Sequence, residues 1–234
     1  MHLQRAPKAL LCAACLVLGG TAGGADLTGT VTYTGPLPQR AKVPITIDQY
    51  ICGKDKDPDD LVLGPKGAVQ YAVVWIDNPP AGARWPAEAP KVEMDQNGCV
   101  FVPRVAVVPV GGTVDFLNSD RLLHNLHSLS KDNPSFNRTQ PRGRTIPITF
   151  TKPELVTITC DLHSWMKSWV VVAEHPYYAV TDAAGAFRIA AVPPGKYRLR
   201  MWHEVLGDVS REVEVGPQGA AATFDIKTLK APVQ

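Results

Sequence analysis

Apolar and polar residues alternate with a period of two along most of the chain, which is typical of β-strands with one buried face. Turn-forming residues separate the alternating segments, and no stretch has the 3.6-residue period of a long amphipathic helix. The pattern therefore predicts an all-β fold built as an antiparallel sandwich or barrel. The clearest predicted strands are 27–35, 67–77, 99–120 (two strands around Gly-Gly), 154–160 and 169–174.

The alternation also indicates which side chains face the core. In the segment TVDFLN, Val114 and Phe116 share one face. In ELVTITC, Val156, Ile158 and Cys160 share one face. The sequence therefore predicts that Cys160 points inward at the end of a rigid strand.

Changes in composition divide the chain into segments. The Pro- and Gly-containing stretch 78–90 separates an N-terminal β segment, 26–89, from a second segment, 90–174. A boundary near residues 173–175 is followed by short strands with Asp-Ala-Ala-Gly and Pro-Pro-Gly turns, which predict a separate β unit over 175–234. Segment 26–89 either extends the middle unit or contributes a strand to the last one.

Residues 1–25 have a basic start, a short apolar run and small residues before Ala25, the layout of a secretory signal peptide. The run is too short to span a bilayer comfortably, so we expect export to the periplasm or beyond and no membrane span after cleavage. Two of the 24 basic residues leave with this segment, and the remainder nearly balance the 22 acidic residues. This charge does not favour nucleic acid or an anionic membrane as a partner.

An odd number of cysteines remains after cleavage. Cys12 and Cys15 lie in the predicted signal peptide, and Cys52, Cys99 and Cys160 follow it. A disulfide between Cys52 and Cys99 is favoured over a second copper or thiol-redox site in an exported protein, and it would leave Cys160 free. The spacing of these three cysteines does not exclude a disulfide that includes Cys160.

Three metal-binding side chains follow the strand that ends at Cys160. Cys160, His163 and Met166 are each separated by two residues. One Cys, two His and a weakly bound Met form the trigonal site that holds copper, whereas zinc prefers four firm ligands and Met is a poor one. The second imidazole must come from elsewhere in the chain. The candidates are His124, His127, His175 and His203.

His124 is the best placed of these candidates. It follows the strand TVDFLN, and in an extended segment it shares a face with Leu126, whereas His127 lies on the other face. If Leu126 faces the core, His124 faces it too. Asn125 is then placed to connect the two ligand segments through hydrogen bonds.

CDLHSWMKSWVVV and LHNLHSL resemble the ligand loop and the first-His segment of the cupredoxin family, in particular its amicyanin and plastocyanin members. The resemblance covers about residues 93–174 and implies a Greek-key β-sandwich or barrel with one copper ion that cycles between Cu(I) and Cu(II). Carried over residue by residue, it implies the copper ligands His124, Cys160, His163 and Met166.

The same resemblance assigns supporting roles. Asn125 matches the family's Asn beside the first ligand, and His163 with Trp165 is expected near the surface as the electron port. The chain departs from the family at Ser164, where the family has Pro, and at Ser168, where it has Gly. These departures put the rigidity of the ligand loop and the redox potential in question.

The segment TDAAGAFRIAAVPPGKYRLRMWHE, 181–204, resembles the carboxypeptidase regulatory-like (transthyretin-like) family of small β-sandwiches. LTGTVTYTG also resembles the first strand of that family, and this resemblance favours a sandwich that recruits residues 26–40. The resemblance implies a structural role, a partner-docking surface or contact with carbohydrate.

Together these features predict an exported type 1 (blue) copper protein that is not an enzyme and that carries single electrons between periplasmic redox proteins. The amicyanin resemblance implies a dehydrogenase donor, as in methylamine utilisation, and a cytochrome-type acceptor. Three alternatives remain: a copper chaperone without reversible redox chemistry, a copper enzyme with a second site, and a carbohydrate-binding or adhesion protein with a structural metal.

Overall fold

The computed structural model describes residues 24–37, 39–88 and 91–230. The predicted signal peptide, with Cys12 and Cys15, lies outside the described residues except for its last two positions. The predicted all-β class is confirmed, because the described part of the chain contains 18 strands and a single α-helix of four residues. None of the described helices is long and apolar enough to cross a membrane.

The α-helix is α1 (Gln49–Cys52), and a 3-10 turn covers Pro65–Gly67. In chain order the strands are β1 (Ala25–Tyr33), β2 (Val43–Pro44), β3 (Asp55–Lys56), β4 (Val73–Ile76), β5 (Val92–Gln96), β6 (Phe101–Val102), β7 (Val105–Pro109), β8 (Thr113–Asn118), β9 (His124–Leu129), β10 (Asn137–Gln140), β11 (Ile146–Thr149), β12 (Glu154–Thr159), β13 (Lys167–Ala173), β14 (Tyr178–Val180), β15 (Ala186–Val192), β16 (Gly195–His203), β17 (Gly207–Val215) and β18 (Ala220–Ile226).

Two sheets enclose the first of two large apolar cores. One sheet has the order β10-β9-β12-β13-β7 and the other β11-β8-β5-β6. The alternation of the sequence sets the inner faces, since buried and partly exposed residues alternate along β8 and along β12 from Leu155 onward. Each large apolar side chain that is buried here contributes about 1.5–3 kcal/mol to stability. The largest fully buried side chains are Ile45, Met94, Phe116, Leu126, Phe150, Ile158 and Met166.

A second sandwich encloses the other core. Its sheets have the orders β15-β1-β18 and β14-β4-β16-β17. Strand β1 lies between β15, to which it is antiparallel, and β18, to which it is parallel. At Gly29 any side chain would meet the backbone carbonyl of Ala222, so this close approach requires glycine. The N-terminal segment therefore supplies β1 and β4 to the sandwich that the C-terminal residues complete.

The two sandwiches pack against each other through a third, smaller apolar cluster. Val73, on β4, lies fully buried with Val105 and Val171 of the first sandwich. The rings of Trp169 and Trp202 meet edge to face, with centroids 4.8 Å apart. Such aromatic pairs add about 0.5–1.5 kcal/mol beyond the area they bury.

Charged side chains also join the two sandwiches. Arg104 is almost fully buried, forms ion pairs with Asp59 (2.5 Å) and Glu204, and donates to the carbonyl of Lys167 at 3.2 Å. The Lys167 Nζ lies 2.5 Å from the other Glu204 oxygen. Burial raises the pKa of Glu204, but the neighbouring Arg104 and Lys167 outweigh it, so the pKa lies below its ordinary value and the carboxylate stays charged.

His203, at the end of β16, is buried beside this cluster. Its burial predicts that the free energy of unfolding depends on pH. Burial lowers its pKa to about 4. Between pH 6.5 and 4 the unfolded chain binds a proton that the folded chain does not, so stability falls as pH falls through this range. Asn at position 203 can still accept the 3.2 Å hydrogen bond from the Val205 N–H. In wild type the free energy of unfolding should decrease from pH 7 to pH 5, and we expect this decrease to be about 2 kcal/mol smaller in His203→Asn.

Urea unfolding of wild type and variant at both pH values measures this difference. His127→Asn is the control, because the His127 side chain is one-third exposed, so this change removes no buried imidazole and the loss between the two pH values should not become smaller than in wild type. Equal losses for His203→Asn and wild type would show that His203 does not cause the acid sensitivity.

Candidate metal centre

Three of the predicted ligands bring donor atoms together in the first sandwich. The Nδ1 atoms of His124 and His163 lie 2.9 Å apart, and the Sγ of Cys160 lies 3.8 Å from the first and 3.5 Å from the second. All three side chains are buried, with His124 and His163 fully so. The sequence separations are 36 and 3 residues, so the fold brings together two distant segments.

The size of this triangle suits a metal ion. A point equidistant from three atoms with these separations lies about 2 Å from each, close to the bond lengths of about 2.0–2.3 Å that a small transition-metal ion makes to imidazole nitrogen and thiolate sulfur. A Cys–His–His donor set is the one that copper occupies in trigonal sites. The residues present therefore fit a copper ion.

The outer nitrogens of both rings face carboxylates. His124 Nε2 lies 2.9 Å from an Asp120 oxygen, and His163 Nε2 lies 3.0 Å from an Asp48 oxygen. A neutral ring that donates from Nε2 presents an unprotonated Nδ1 to the centre of the triangle. Carboxylates that orient metal-binding imidazoles in this way are common around metal sites.

Burial shifts the pKa values of His124 and Cys160 in the direction that favours their neutral forms. It lowers the pKa of His124, although Asp120 opposes this effect, so the ring is neutral at pH 7. It raises the pKa of the Cys160 thiol, against the hydrogen bonds from the backbone N–H groups, of which that of Asn125 is the strongest. A buried thiol of this kind gives up its proton when a metal binds.

Cys160 directly follows β12, and the loop after it folds back on the strand end. The His163 N–H donates to the Cys160 carbonyl at 3.3 Å, and the Met166 N–H donates to the His163 carbonyl at 2.9 Å. The Cys160 N–H donates to the Met166 carbonyl at 3.3 Å. The loop is thus closed by its own backbone, and the Met166 side chain is buried within the same core. Ser168, where the family has Gly, is buried and its Oγ lies 3.1 Å from the Met94 sulfur.

Asn125 connects the two ligand segments. Its backbone N–H lies 3.4 Å from the Cys160 sulfur, and its Oδ1 accepts the Asp161 N–H at 2.6 Å. Its Nδ2 donates to Asn137 and Asp161. Asn125 therefore holds β9 and the loop after β12 in a fixed relation.

The remaining candidate histidines lie elsewhere. His127 is one-third exposed and bonds Asp161 at 2.8 Å, on the face of β9 opposite His124. His175 and His203 are buried, and each accepts a backbone N–H two residues onward, that of Tyr177 and that of Val205. None of the three belongs to the groups of side chains that could hold a metal among the described residues.

Cys52 and Cys99 form a disulfide, and Cys160 is free and buried. Cys99, Asp120 and His124 also lie within reach of a common point. The Cys99 sulfur is already bonded to Cys52, so this second group lacks its thiolate. Asp120 instead accepts the N–H groups of Gly98 and Cys99, at 2.7 and 2.8 Å.

The structure differs from the expectation that His163 lies near the surface. Its side chain is 0% exposed, because Asp48 covers the outer edge of the ring. Trp165 lies beside it, with ring centroids 5.1 Å apart, but only 9% of Trp165 is exposed and its indole N–H donates to the Cys99 carbonyl at 2.9 Å. The N-terminal segment, which the cupredoxin resemblance does not include, causes this burial.

Asp48 and Asp120 did not emerge from the sequence as site residues. Asp120 lies four residues before His124 and two residues after the end of β8. This spacing of four residues is a local signal of a carboxylate close to His124. Asp48 lies 115 residues before His163, and only the predicted disulfide at Cys52 hinted that its segment approaches the site.

Comparisons with known proteins give partial matches. A family model described as polysaccharide lyase family 4, domain II, matches residues 142–223, less than half of the chain. The sequence has no match among curated proteins.

Three solved structures show the extent of the structural similarity. A copper-containing nitrite reductase from Thermus scotoductus SA-01 is 30% identical over 42% of this chain, with a TM-score of 0.35, and this chain spans only 25% of that reductase. A purple cupredoxin from Nitrosopumilus maritimus is 21% identical over 36% of this chain and 100% of its own, with a TM-score of 0.32. An oxidised amicyanin variant is 20% identical over 43% of this chain and 98% of its own, with a TM-score of 0.34.

Proposed function

We propose that the chain binds one copper ion through His124, Cys160, His163 and Met166 and carries single electrons between redox proteins. The observation that supports this most directly is the triangle formed by two Nδ1 atoms and one Sγ, with a central point about 2 Å from each. When bound at such a site, copper exchanges one electron between Cu(I) and Cu(II).

The surrounding residues provide what an electron carrier requires, which is a site that changes little between its two oxidation states. The strand end fixes Cys160, and the carboxylates of Asp48 and Asp120 fix both rings. Asn125 joins the two ligand segments. Complete burial of both imidazoles keeps water out of the site. A rigid and dry set of ligands favours neither oxidation state strongly, which keeps the structural change on electron transfer small.

We further propose a periplasmic or secreted location and periplasmic redox partners, a dehydrogenase as donor and a cytochrome-type protein as acceptor. The disulfide between Cys52 and Cys99 supports an oxidising compartment. The identity of the partners rests on the amicyanin resemblance alone. The second sandwich would then have a structural role, provide a surface on which a partner docks, or contact carbohydrate.

Copper titration of the full chain tests the proposal. We expect one Cu(II) per chain, an intense blue absorption band and a single type 1 signal in electron paramagnetic resonance. Colourless binding, or binding of Cu(I) alone, would favour a copper chaperone. A second copper signal would favour an enzyme, and unchanged glycan binding and biological activity in Cys160→Ala would favour a carbohydrate-binding role.

Two histidines on the same strand provide a matched pair of variants. His124→Ala removes a donor atom from the triangle, so we expect it to abolish the blue band and to weaken copper binding by at least about 100-fold, beyond the effect of losing an outer-shell partner. His127→Ala removes a ring that faces Asp161 instead, and it should leave band and affinity unchanged. The opposite result, with His127 required and His124 dispensable, would refute the ligand assignment.

A further inference from the structure

A short hairpin from the N-terminal segment covers the metal site. We call residues 43–56 the strap. It consists of β2, α1 and β3, and it closes on itself through the β2–β3 pairing and the Ile45 N–H bond to the Lys54 carbonyl at 2.9 Å. Ile45 is buried in the core of the first sandwich, and Cys52 is joined to Cys99. The tip is exposed, with Tyr50 82% accessible.

Asp48 is the strap residue that reaches the site. It precedes α1 and has a left-handed backbone, with φ 52° and ψ 29°, a conformation that is uncommon for residues other than Gly but tolerated by Asp and Asn. An Asp in this position usually caps the helix with its carboxylate. Here the side chain makes no capping bond and instead lies 3.0 Å from His163 Nε2. Unusual backbone conformations that redirect a side chain in this way concentrate at functional sites.

The base of the strap lies near Trp165, beside the same site. A cavity of about 40 Å³ separates Val43, Lys56 and the residues that follow it from Trp165, whose ring contacts His163. A space of this size accommodates water. The strap is thus fixed at Ile45 and at the disulfide, while next to Trp165 it is not packed tightly.

These contacts carry one inference, which rests on the copper site of the proposed function. We propose that Asp48 is a positioning residue for His163, and that the strap, latched by the Cys52–Cys99 disulfide, closes the site to metal exchange and to small reagents. The Asp48 side chain is about one-third exposed while the ring that it covers is fully buried. Displacing Asp48 therefore opens the outer edge of His163 to solvent without unfolding the sandwich.

The positioning role is tested first in the metal-free chain. In wild type, nitrogen NMR of His163 should show the tautomer with a protonated Nε2 and an unprotonated Nδ1. Asp48→Ala should yield a mixture of tautomers, and Asp48→Asn, which tolerates the left-handed backbone and can still accept a hydrogen bond, should restore most of the wild-type signal. Asp57→Ala is the matched control, since this strap-adjacent carboxylate is 85% exposed. An unchanged tautomer in Asp48→Ala would overturn the positioning role.

Competition with a chelator then measures copper affinity. We expect copper affinity to fall about 10–100-fold in Asp48→Ala, the usual effect of removing a partner of a metal-binding imidazole. The affinity should fall less in Asp48→Asn and should not change in Asp57→Ala. If Asp48→Ala binds copper as wild type does while His124→Ala does not, this inference fails and the copper site stands. If no form of the chain binds copper, the proposed function fails, and the tautomer still reports on Asp48.

The latch is tested by the accessibility of the buried Cys160 thiol. In the metal-free chain we expect a thiol reagent to modify Cys160 at least about tenfold faster in Cys52→Ser/Cys99→Ser than in wild type. The reason is that the rate at which a reagent reaches a buried group depends on the free energy of the local opening that exposes it. Peptide mass spectrometry identifies the modified cysteine. Asp48→Ala, which keeps the disulfide, guards against a folding defect in the double variant and should also accelerate modification. Wild-type rates in both variants would overturn the covering role.

Discussion

Replacing Cys160 with Ser is expected to abolish the blue absorption band and to weaken copper binding by more than about 100-fold, beyond the effect of losing an outer-shell partner. The band arises from charge transfer between sulfur and copper, and a hydroxyl cannot supply it. Ser also replaces a soft thiolate with a hard oxygen donor that suits copper less well in this geometry. Visible absorption, electron paramagnetic resonance and competition with a chelator measure the change.

The matched variant is Met166→Leu, which keeps the volume of the side chain and removes only the thioether that we propose as the weak axial donor. We expect it to retain the blue band while its reduction potential shifts. Urea unfolding of the metal-free Cys160→Ser chain should give a midpoint close to that of wild type, since the change conserves shape. A blue Cys160→Ser protein would show that another side chain supplies the thiolate or that the site lies elsewhere.

Local pattern was sufficient to single out the three side chains, His124, Cys160 and His163, whose donor atoms the structure brings together. Strand phase is a local property, so alternation alone placed Cys160 toward the core and placed His124 on the same face as Leu126, which the structure shows to be buried. The spacing between Cys160 and His163 is likewise local, because a single loop closes it. These features needed no knowledge of how distant segments pack.

What the sequence did not predict depends on long-range packing. Strand β1 pairs with strands about 160 and 190 residues further along the chain, as the pairs of Thr30 with Ala186 and Thr223 show. The resemblance of LTGTVTYTG to a first sandwich strand suggested such a pairing but left the alternative open. The burial of His163 depends on the position of Asp48, which no periodicity in the chain encodes. The expectation of an exposed electron port was therefore drawn from a resemblance that covers about residues 93–174 and does not include the strap.

Removing the guanidinium of Arg104 is expected to lower the free energy of unfolding by about 3–5 kcal/mol, the usual effect of breaking a buried ion pair. Arg104 is 5% exposed and contacts three parts of the chain, namely Asp59, Lys167 and Glu204. Its loss leaves Glu204, itself 8% exposed, with Lys167 as its ion-pair partner. Urea unfolding of Arg104→Met measures the effect, and Met preserves the apolar part of the side chain.

Two further variants separate burial from charge pairing. Arg188→Met removes an exposed pair with Asp26 (64% and 42% accessible) and should change stability by no more than about 1 kcal/mol. Arg104→Met/Glu204→Met should be more stable than Arg104→Met alone, because it removes the buried carboxylate that the single change leaves poorly paired. Asp59 and Lys167, each about one-third exposed, can then turn to water. If the double variant is instead less stable than the single one, Glu204 stabilises the fold through contacts other than Arg104, and the two sandwiches are joined mainly by the apolar cluster around Val171.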